Sequence, residues 1–593
     1  MPRTKELGSE PALPKKSEPA FQEKKGSDPD FFAEPDFFDV VVIGAGINGA
    51  GIAREAARAG LSVLVLEQSD VASGTTSAST RLIHGGLRYL EHGELGLVRE
   101  SLREREALLE LAPHLVEPLR LYLPIYRGAR RPRWQIRIGL ALYDLLSHGK
   151  SLPSHRMLSR DELLEHVPGL AERELVGGAT YFDAQVTFPE RLVVENLLDA
   201  AAHGAVVMNH TAAVAIDVQG GTVTGVDWRR ADGAHGRAAA ARVVNAAGPW
   251  LDRVAASVRG TRPPSEVLVG GTKGSHLVVA PFPGAPRAAV YAEAASDGRP
   301  FFVVPWNGLY LIGTTDVRYD GDPADAAIDD RELDYLVRET ERLFPDAAGL
   351  RTRVLYTMAG VRALPSAPGR AEGAITRRHF VHAHRGARGL YSIVGGKLTT
   401  YRSLARDVLA RLVRDGLAPR RDDGRGAGTA DVRRAADEHL PGAIAGPERD
   451  VLAAELSHAF GERTASRMLR TYGRLSARLL AAARERPELA APAGPDAELR
   501  RVEIVHALET EWADSLVDLL QRRTMLGLGA DFGLRDAAAA AAALVELGLW
   551  DDARAADELA TYRRFAALHR AANAPVSGSA GRRRTSGGAP VPE

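Results

Sequence analysis

Hydrophobic patterning begins abruptly near residue 39. Upstream, Met1 to Phe38 mixes both charges with prolines and has no continuous apolar run, which predicts a disordered extension over residues 1–38 without a signal-peptide core. Val40-Val41-Val42-Ile43 then forms a β-branched apolar block, the pattern of a strand buried on both faces. An alanine-rich helical pattern runs from Asn48 to Ala59 and stops at Gly60, a C-cap glycine. A second apolar strand spans Leu61 to Leu66. Strand and helix patterns alternate to about residue 410, so residues 39–419 predict α/β units. Residues 420–430 are charged and glycine-rich and read as a linker. Beyond it only helical periodicity is strong, over Val451–His458, Thr464–Tyr472, Leu475–Arg484, Val502–Arg523 and Leu534–Leu547. Residues 431–572 therefore predict an all-α domain, and 573–593, with Arg582-Arg583-Arg584, a loose tail. No stretch reaches the roughly 18 uncharged apolar residues that span a bilayer. Ala537 to Trp550 comes nearest, but Glu546 interrupts it and it reads as a buried or amphipathic helix.

The turn between the first strand and helix carries chemistry. Gly44-Ala45-Gly46-Ile47-Asn48-Gly49 is a G-x-G-x-x-G motif in the strand–turn–helix context it requires. Gly44 permits the tight turn, Gly46 lets backbone approach a pyrophosphate, and Gly49 lets helix and strand pack, with the helix N-terminus facing the phosphate charge. Glu67 ends the second strand, 18 residues past Gly49, where a carboxylate reaches ribose hydroxyls. An acid there selects unphosphorylated ribose, hence NAD or FAD. Gln68 follows, and then Ser73-Gly-Thr-Thr-Ser-Ala-Ser-Thr80, a hydroxyl-rich string that suits backbone held against a longer cofactor. By composition alone that string reads as a surface loop.

Composition narrows the classes further. The 593 residues exceed one compact core. Lys plus Arg equals Asp plus Glu at 76 each, which argues against a nucleic-acid partner. There are no cysteines, which removes disulfides, iron–sulfur clusters, thiolate zinc sites, cysteine nucleophiles and a cysteine-tethered flavin. No metal site is expected.

Past Thr80 the chain reads Arg81-Leu82-Ile83-His84-Gly85-Gly86-Leu87-Arg88-Tyr89-Leu90-Glu91. Further on come Asn245-Ala-Ala-Gly-Pro-Trp250, Lys273-Gly-Ser-His276, Ile312-Gly-Thr-Thr-Asp316, Gly360-Val-Arg362 and Gly395-Gly-Lys-Leu-Thr-Thr-Tyr-Arg402. Glu511-Trp512 and Arg522-Arg523-Thr524-Met-Leu-Gly527 follow in the helical region. In order and type these motifs resemble the FAD-dependent glycerol-3-phosphate dehydrogenases, from about Asp39 to Gly533. The resemblance implies a Rossmann-like, glutathione-reductase-type α/β FAD-binding domain interleaved with an α+β substrate domain, then an all-α C-terminal domain. It also implies hydride transfer from C2 of glycerol 3-phosphate to FAD, with electrons passing to a membrane quinone.

A secondary alcohol that loses hydride from its carbon must also lose its hydroxyl proton, and a histidine suits that work. On the resemblance, His276 is the base, and Arg362 and Lys397 complete the catalytic set. Arg88 and Tyr89 join these three in substrate binding, because a dianionic phosphate needs directional cations. The cofactor would contact the Gly44–Gly49 turn, Glu67, Gln68, Thr75, Thr76, Ser77, Ser79, Arg81, Leu82, His84, Gly85, Gly248, Thr315, Gly396, Leu398 and Thr399. One segment departs from the family: where a pair of aspartates leads into Ala-Arg-Leu, this chain has Thr187-Phe-Pro-Glu190-Arg191-Leu192. That change leaves another hydroxy or amino acid open as substrate. An oxygen-using oxidase and a non-catalytic flavin scaffold are the other readings.

A quinone resides in lipid. Arg127, Arg130, Arg131, Arg133 and Arg137 flank Trp134, Ile136, Ile138, Leu140 and Leu142, the mixture of an anionic membrane surface contact. The expected location is cytoplasmic, peripheral on the inner face of the cytoplasmic membrane, with room for a homodimer.

Overall fold

The computed structural model describes residues 37–367, 369, 375–418 and 438–570. The expected extension up to residue 36, the 420–430 linker and the 573–593 tail lie outside the described residues.

Five strands form the parallel centre of the first sheet, in the spatial order Leu390–Val394, His235–Asn245, Phe37–Ile43, Val63–Leu66 and Val206–Met208. Val40, Val41 and Val42 have no exposed surface, because helices cover one face and a three-stranded antiparallel extension the other. Each fully buried valine contributes about 1.5–3 kcal/mol. The first strand runs from Phe37, two residues before the start that the sequence predicts. The helices Ile47–Arg58, Pro189–Ala202 and Tyr401–Arg414 share one core with the sheet. Gly51 allows this approach, since a Cβ there would lie 2.6 Å from the Tyr401 ring.

The chain leaves this layer and returns to it repeatedly, building a ten-stranded sheet from the intervening segments. Its pairings are antiparallel except that Ala289–Glu293 runs parallel to Val116–Tyr126. Thr272–Val279 lies buried between Leu309–Gly313 and Val354–Arg362. The two sheets are thus interleaved in sequence, and a helical C-terminal domain follows them.

Among the described residues, that last domain packs six longer helices around two apolar clusters. Four of the predicted helices appear with small shifts of their ends. The predicted Val502–Arg523 helix is broken. It stops at Thr510, Trp512 takes a left-handed φ of +58°, and Ser515 accepts the Asp518 N–H to cap a new turn that winds into Leu519–Arg523. The break turns the Glu511 carboxylate inward to Arg191, at 2.6 and 2.8 Å. Asp552–His569 is a helix the periodicity missed, because only Ala555, Tyr562 and Ala566 are buried on it.

Candidate active site

The carboxyl ends of the central parallel strands open onto a cavity of about 520 Å³, at the position where an α/β sheet switches direction around its first strand. At one end stands the glycine turn. Gly44 has φ +104°, and a Cβ there would sit 2.7 Å from the Ala246 carbonyl oxygen. No side chain caps the helix at Gly46, and only the Ile47 N–H finds a hydroxyl, Thr76 Oγ1 at 3.1 Å. Asn48 lines the cavity with its buried Oδ1 unpartnered. Gly248, at φ +57°, has open space where its Cβ would be. An uncapped helix N-terminus, an orphaned amide oxygen and bare glycine backbone fit a dinucleotide pyrophosphate. Glu67 accepts the Ala45 and Ser69 N–H groups at 2.8 and 3.0 Å, and burial pushes its carboxyl upward against them.

At the other end the ten-stranded sheet presents its chemistry. Register pairs Thr272 with Arg362 and His276 with Met358. Gly274 and His276 lie on one face of their strand, two residues apart. A Cβ on Gly274 would meet the Arg362 guanidinium at 2.0 Å, so the bare glycine lets that side chain lie across the strand beside His276. Arg362 donates to Asp316 and Thr314 Oγ1, both at 3.0 Å. Lys397 begins the turn before Tyr401–Arg414 and directs its Nζ over the Tyr89 ring at 4.0 Å and to Ser101 Oγ at 3.0 Å. A smaller compartment of about 160 Å³ shares Thr80, His84, Tyr89, Arg362 and Arg377 with the main cavity.

Charge is unbalanced here. Burial, then Arg377, pushes Lys397 down to about 7. Burial and Arg377 also lower Arg362 to about 10. Burial, followed by Arg362 and Arg81, pushes His276 down to about 3, so its imidazole is neutral at physiological pH. Its Nε2 lies 2.8 Å from Thr80 Oγ1 and its Nδ1 is unpartnered. Mutually repelling cations around a neutral imidazole make a pocket that a dianion would relax.

Comparison with known proteins agrees with this geometry. The FAD dependent oxidoreductase family matches residues 39–402. A glycerol-3-phosphate dehydrogenase of Synechocystis sp. is 40% identical over 540 residues, covering 89% of this chain and 96% of that protein. The chain belongs to the FAD-dependent glycerol-3-phosphate dehydrogenase family. Residues 434–555 match the C-terminal domain of alpha-glycerophosphate oxidase. A D-erythritol 1-phosphate dehydrogenase of Brucella abortus is 38% identical over 502 residues, covering 83% of this chain and 95% of that protein. The structure of the Bacillus halodurans glycerol-3-phosphate dehydrogenase complexed with FAD superposes with a TM-score of 0.70 at 27% identity, covering 92% of this chain and 98% of that one. As a member of this family the chain is an FAD-dependent oxidoreductase.

Most of the residues singled out in the sequence of this dehydrogenase-family chain line the main cavity: Gly44, Gly46, Ile47, Asn48, Glu67, Gln68, Thr75, Thr76, Ser79, Leu82, His84, Tyr89, Gly248, His276, Arg362, Gly396, Lys397, Leu398 and Thr399. Arg88 lines the smaller compartment. Ala45, Gly49, Ser77, Gly85 and Thr315 stand behind the wall. Gly49 packs on the Gly44 carbonyl, Ser77 bonds the Ala72 carbonyl, Gly85 donates to the Tyr143 hydroxyl, and Thr315 donates to Glu332. Arg81 touches the cavity, but its guanidinium is fully buried in a two-point pair with Glu190 at 2.7 and 2.8 Å, stacked over Trp306. The departing Thr187–Glu190 segment therefore anchors Arg81. Pro189 starts a helix there, and none of the four residues lines either compartment. Arg377 lies in none of the sequence motifs, yet it lines both compartments, 3.7 Å from Asp316. Ala212 and Ala213 were likewise missed, since alanines on a strand carry no chemical signal.

Proposed function

We propose that this chain oxidises sn-glycerol 3-phosphate to dihydroxyacetone phosphate. The observation that carries this reading is the cation set of Arg362, Arg377 and Lys397 beside the neutral, buried His276. In this reading the Gly44–Gly49 turn would hold the pyrophosphate of FAD and Glu67 its adenosine ribose, with Ala212 and Ala213 lining the same end of the cavity. When bound, FAD would supply the acceptor for the hydride that leaves C2. His276 takes the proton from the C2 hydroxyl, aided by Thr80, which fixes its Nε2. Arg362, Arg377 and Lys397 bind the phosphate and hold C2 in place, while Arg88 and Tyr89 close the smaller compartment. Activity with an artificial acceptor, measured on glycerol 3-phosphate, D-erythritol 1-phosphate, lactate and sarcosine, tests the substrate. The reading requires a phosphorylated polyol to win, with the three-carbon one first. A faster rate on either unphosphorylated acid would overturn it.

For the electrons we propose a membrane quinone. Among the described residues no helix is long and apolar enough to cross a membrane. The helix Arg133–Leu146 exposes Trp134, Ile138 and Leu145, each more than half accessible, beside exposed Arg127, Arg130 and Arg137. That face supports a contact lying in the headgroup layer of an anionic membrane. Ile136 and Leu140 from the same segment point into the core, and Arg131 is bound by Glu91 and Glu293. Flotation with anionic vesicles at low salt tests it, and protein left entirely at the bottom of the gradient would remove it. Oxygen as acceptor is the second reading, favoured by the match of residues 434–555 to an oxidase domain. Peroxide released at the rate of turnover would establish oxygen instead of quinone.

A further inference from the structure

The helical domain contributes no side chain to the cavity among the described residues, yet it grips the cavity's wall at one carboxylate. Asp70 follows the Glu67–Ser69 turn and is 1% exposed. Arg523 reaches it with two parallel donors at 2.8 and 2.7 Å, Arg522 donates through Nε, and Asn209 donates at 3.2 Å. Asn209 also donates to the Trp512 carbonyl at 2.7 Å. Next to it, His210 Nε2 lies 2.9 Å from Asp518, which takes a second bond from Arg522 at 2.9 Å. Asp70, His210 and Asp518 have the residue types of a metal site, but the guanidinium groups already engage both carboxylates.

These bonds end on two turns that shape the cavity. The Glu67 N–H donates to the Met208 carbonyl, the Thr211 N–H to the Glu67 carbonyl, and the His210 N–H to the Ser69 carbonyl. Glu67, Gln68, Ser69, Ala212 and Ala213 all line the cavity within a few residues of Asp70 or Asn209. A buried ion pair is weak evidence for stability, because desolvating both charges costs about as much as their attraction returns. Four donors converging on one carboxylate do fix its position, and with it the turn that carries Glu67.

We propose that Asp70 is a positioning residue for the cofactor, through which Arg522 and Arg523 of the helical domain hold the adenosine end of the FAD site in its binding shape. The inference rests on the placement of the adenosine at Glu67 argued above. It makes the helical domain a retention device for the cofactor.

The test measures the affinity of the full-length apoprotein for FAD and for ADP, which carries the adenosine and the diphosphate but lacks the flavin half. Asp70→Asn keeps the shape but loses the charge that draws both guanidinium groups, and both ligands weaken by the same factor, on the order of tenfold. The visible spectrum of bound flavin stays unchanged. Asp518→Asn, which leaves Arg523 on Asp70, gives a smaller loss and serves if Asp70→Asn does not fold. Glu503→Gln breaks a buried pair with Arg467 inside the helical domain, two bonds of 2.6 Å, and is the control for stability alone. It lowers the melting temperature and leaves both affinities intact. Unchanged affinity in both aspartate variants would overturn the assignment, as would an equal loss in the Glu503 control. An ADP affinity unaffected while FAD weakens, or no binding of ADP by the unaltered protein, would overturn the adenosine placement itself.

Discussion

At the seam between the helical domain and the nucleotide fold, buried arginines face carboxylates in balance. Burial alone would lower Arg191 and Arg522, but Glu511 beside the first and Asp70 and Asp518 beside the second hold both above the ordinary arginine range. At the substrate end the same residue type is left in deficit. Arg362 shares Asp316 with Arg377, and burial with that neighbour brings it down to about 10. Closed charge at the seam fixes geometry, and open charge at the pocket waits for an anion. Burial of an arginine therefore says little about its work until its partners are counted.

The sharpest way to test this contrast is to remove the neutral imidazole the cations surround. His276→Ala is expected to slow flavin reduction by roughly 10²–10⁴-fold while substrate affinity changes little. Stopped-flow reduction under anaerobic conditions measures it, and reduction at the unaltered rate would exclude His276 as the base. At the seam the expected effect is on stability. Glu511→Gln leaves Arg191 buried without its counter-charge and should cost about 3–5 kcal/mol, read from denaturant unfolding. Turnover per folded molecule should hold. If the variant instead unfolds like the parent and loses substrate affinity, the roles of the two regions are not separate.

The contrast also shows what the sequence could reveal. The glycine turn and Glu67 were legible because strand, turn, helix and acid stand in fixed order within thirty residues. His276, Arg362 and Lys397 were legible only through their motifs, since nothing local distinguishes a strand histidine that faces a cavity from one that is merely packed. Arg377 was invisible: its role comes from folding back beside Asp316, sixty-one residues upstream. The break at Glu511 and Trp512 was hidden for the same reason, because a contact with Arg191, 320 residues away, overrides a continuous helical pattern. The Thr187–Glu190 segment looked like a change in the substrate region, and only tertiary structure shows Glu190 turned to Arg81.

Smaller effects refine the picture of the pocket. Arg377→Ala and Arg362→Ala each remove charge-assisted bonds of about 1.5–3 kcal/mol, so each should raise the KM for the phosphorylated substrate by roughly 10–100-fold with a lesser change in kcat. Equal KM values would deny them the phosphate. The mildest effect is on pH. Burial and Arg377 hold Lys397 at about 7, so it is charged below that value and loses its proton above it. Because the phosphate dianion favours the charged form, KM should rise as pH increases through about 7. Lys397→Arg keeps its charge and should flatten that rise. A KM that falls with pH would reverse the sign assigned to the lysine.

One measurement bears on all of this at once, the anaerobic visible spectrum of the FAD-loaded protein titrated with glycerol 3-phosphate. The account predicts loss of the oxidised-flavin band with one equivalent of substrate per flavin, and no loss with His276→Ala on the same timescale. A flavin that dithionite bleaches but glycerol 3-phosphate leaves oxidised would contradict it.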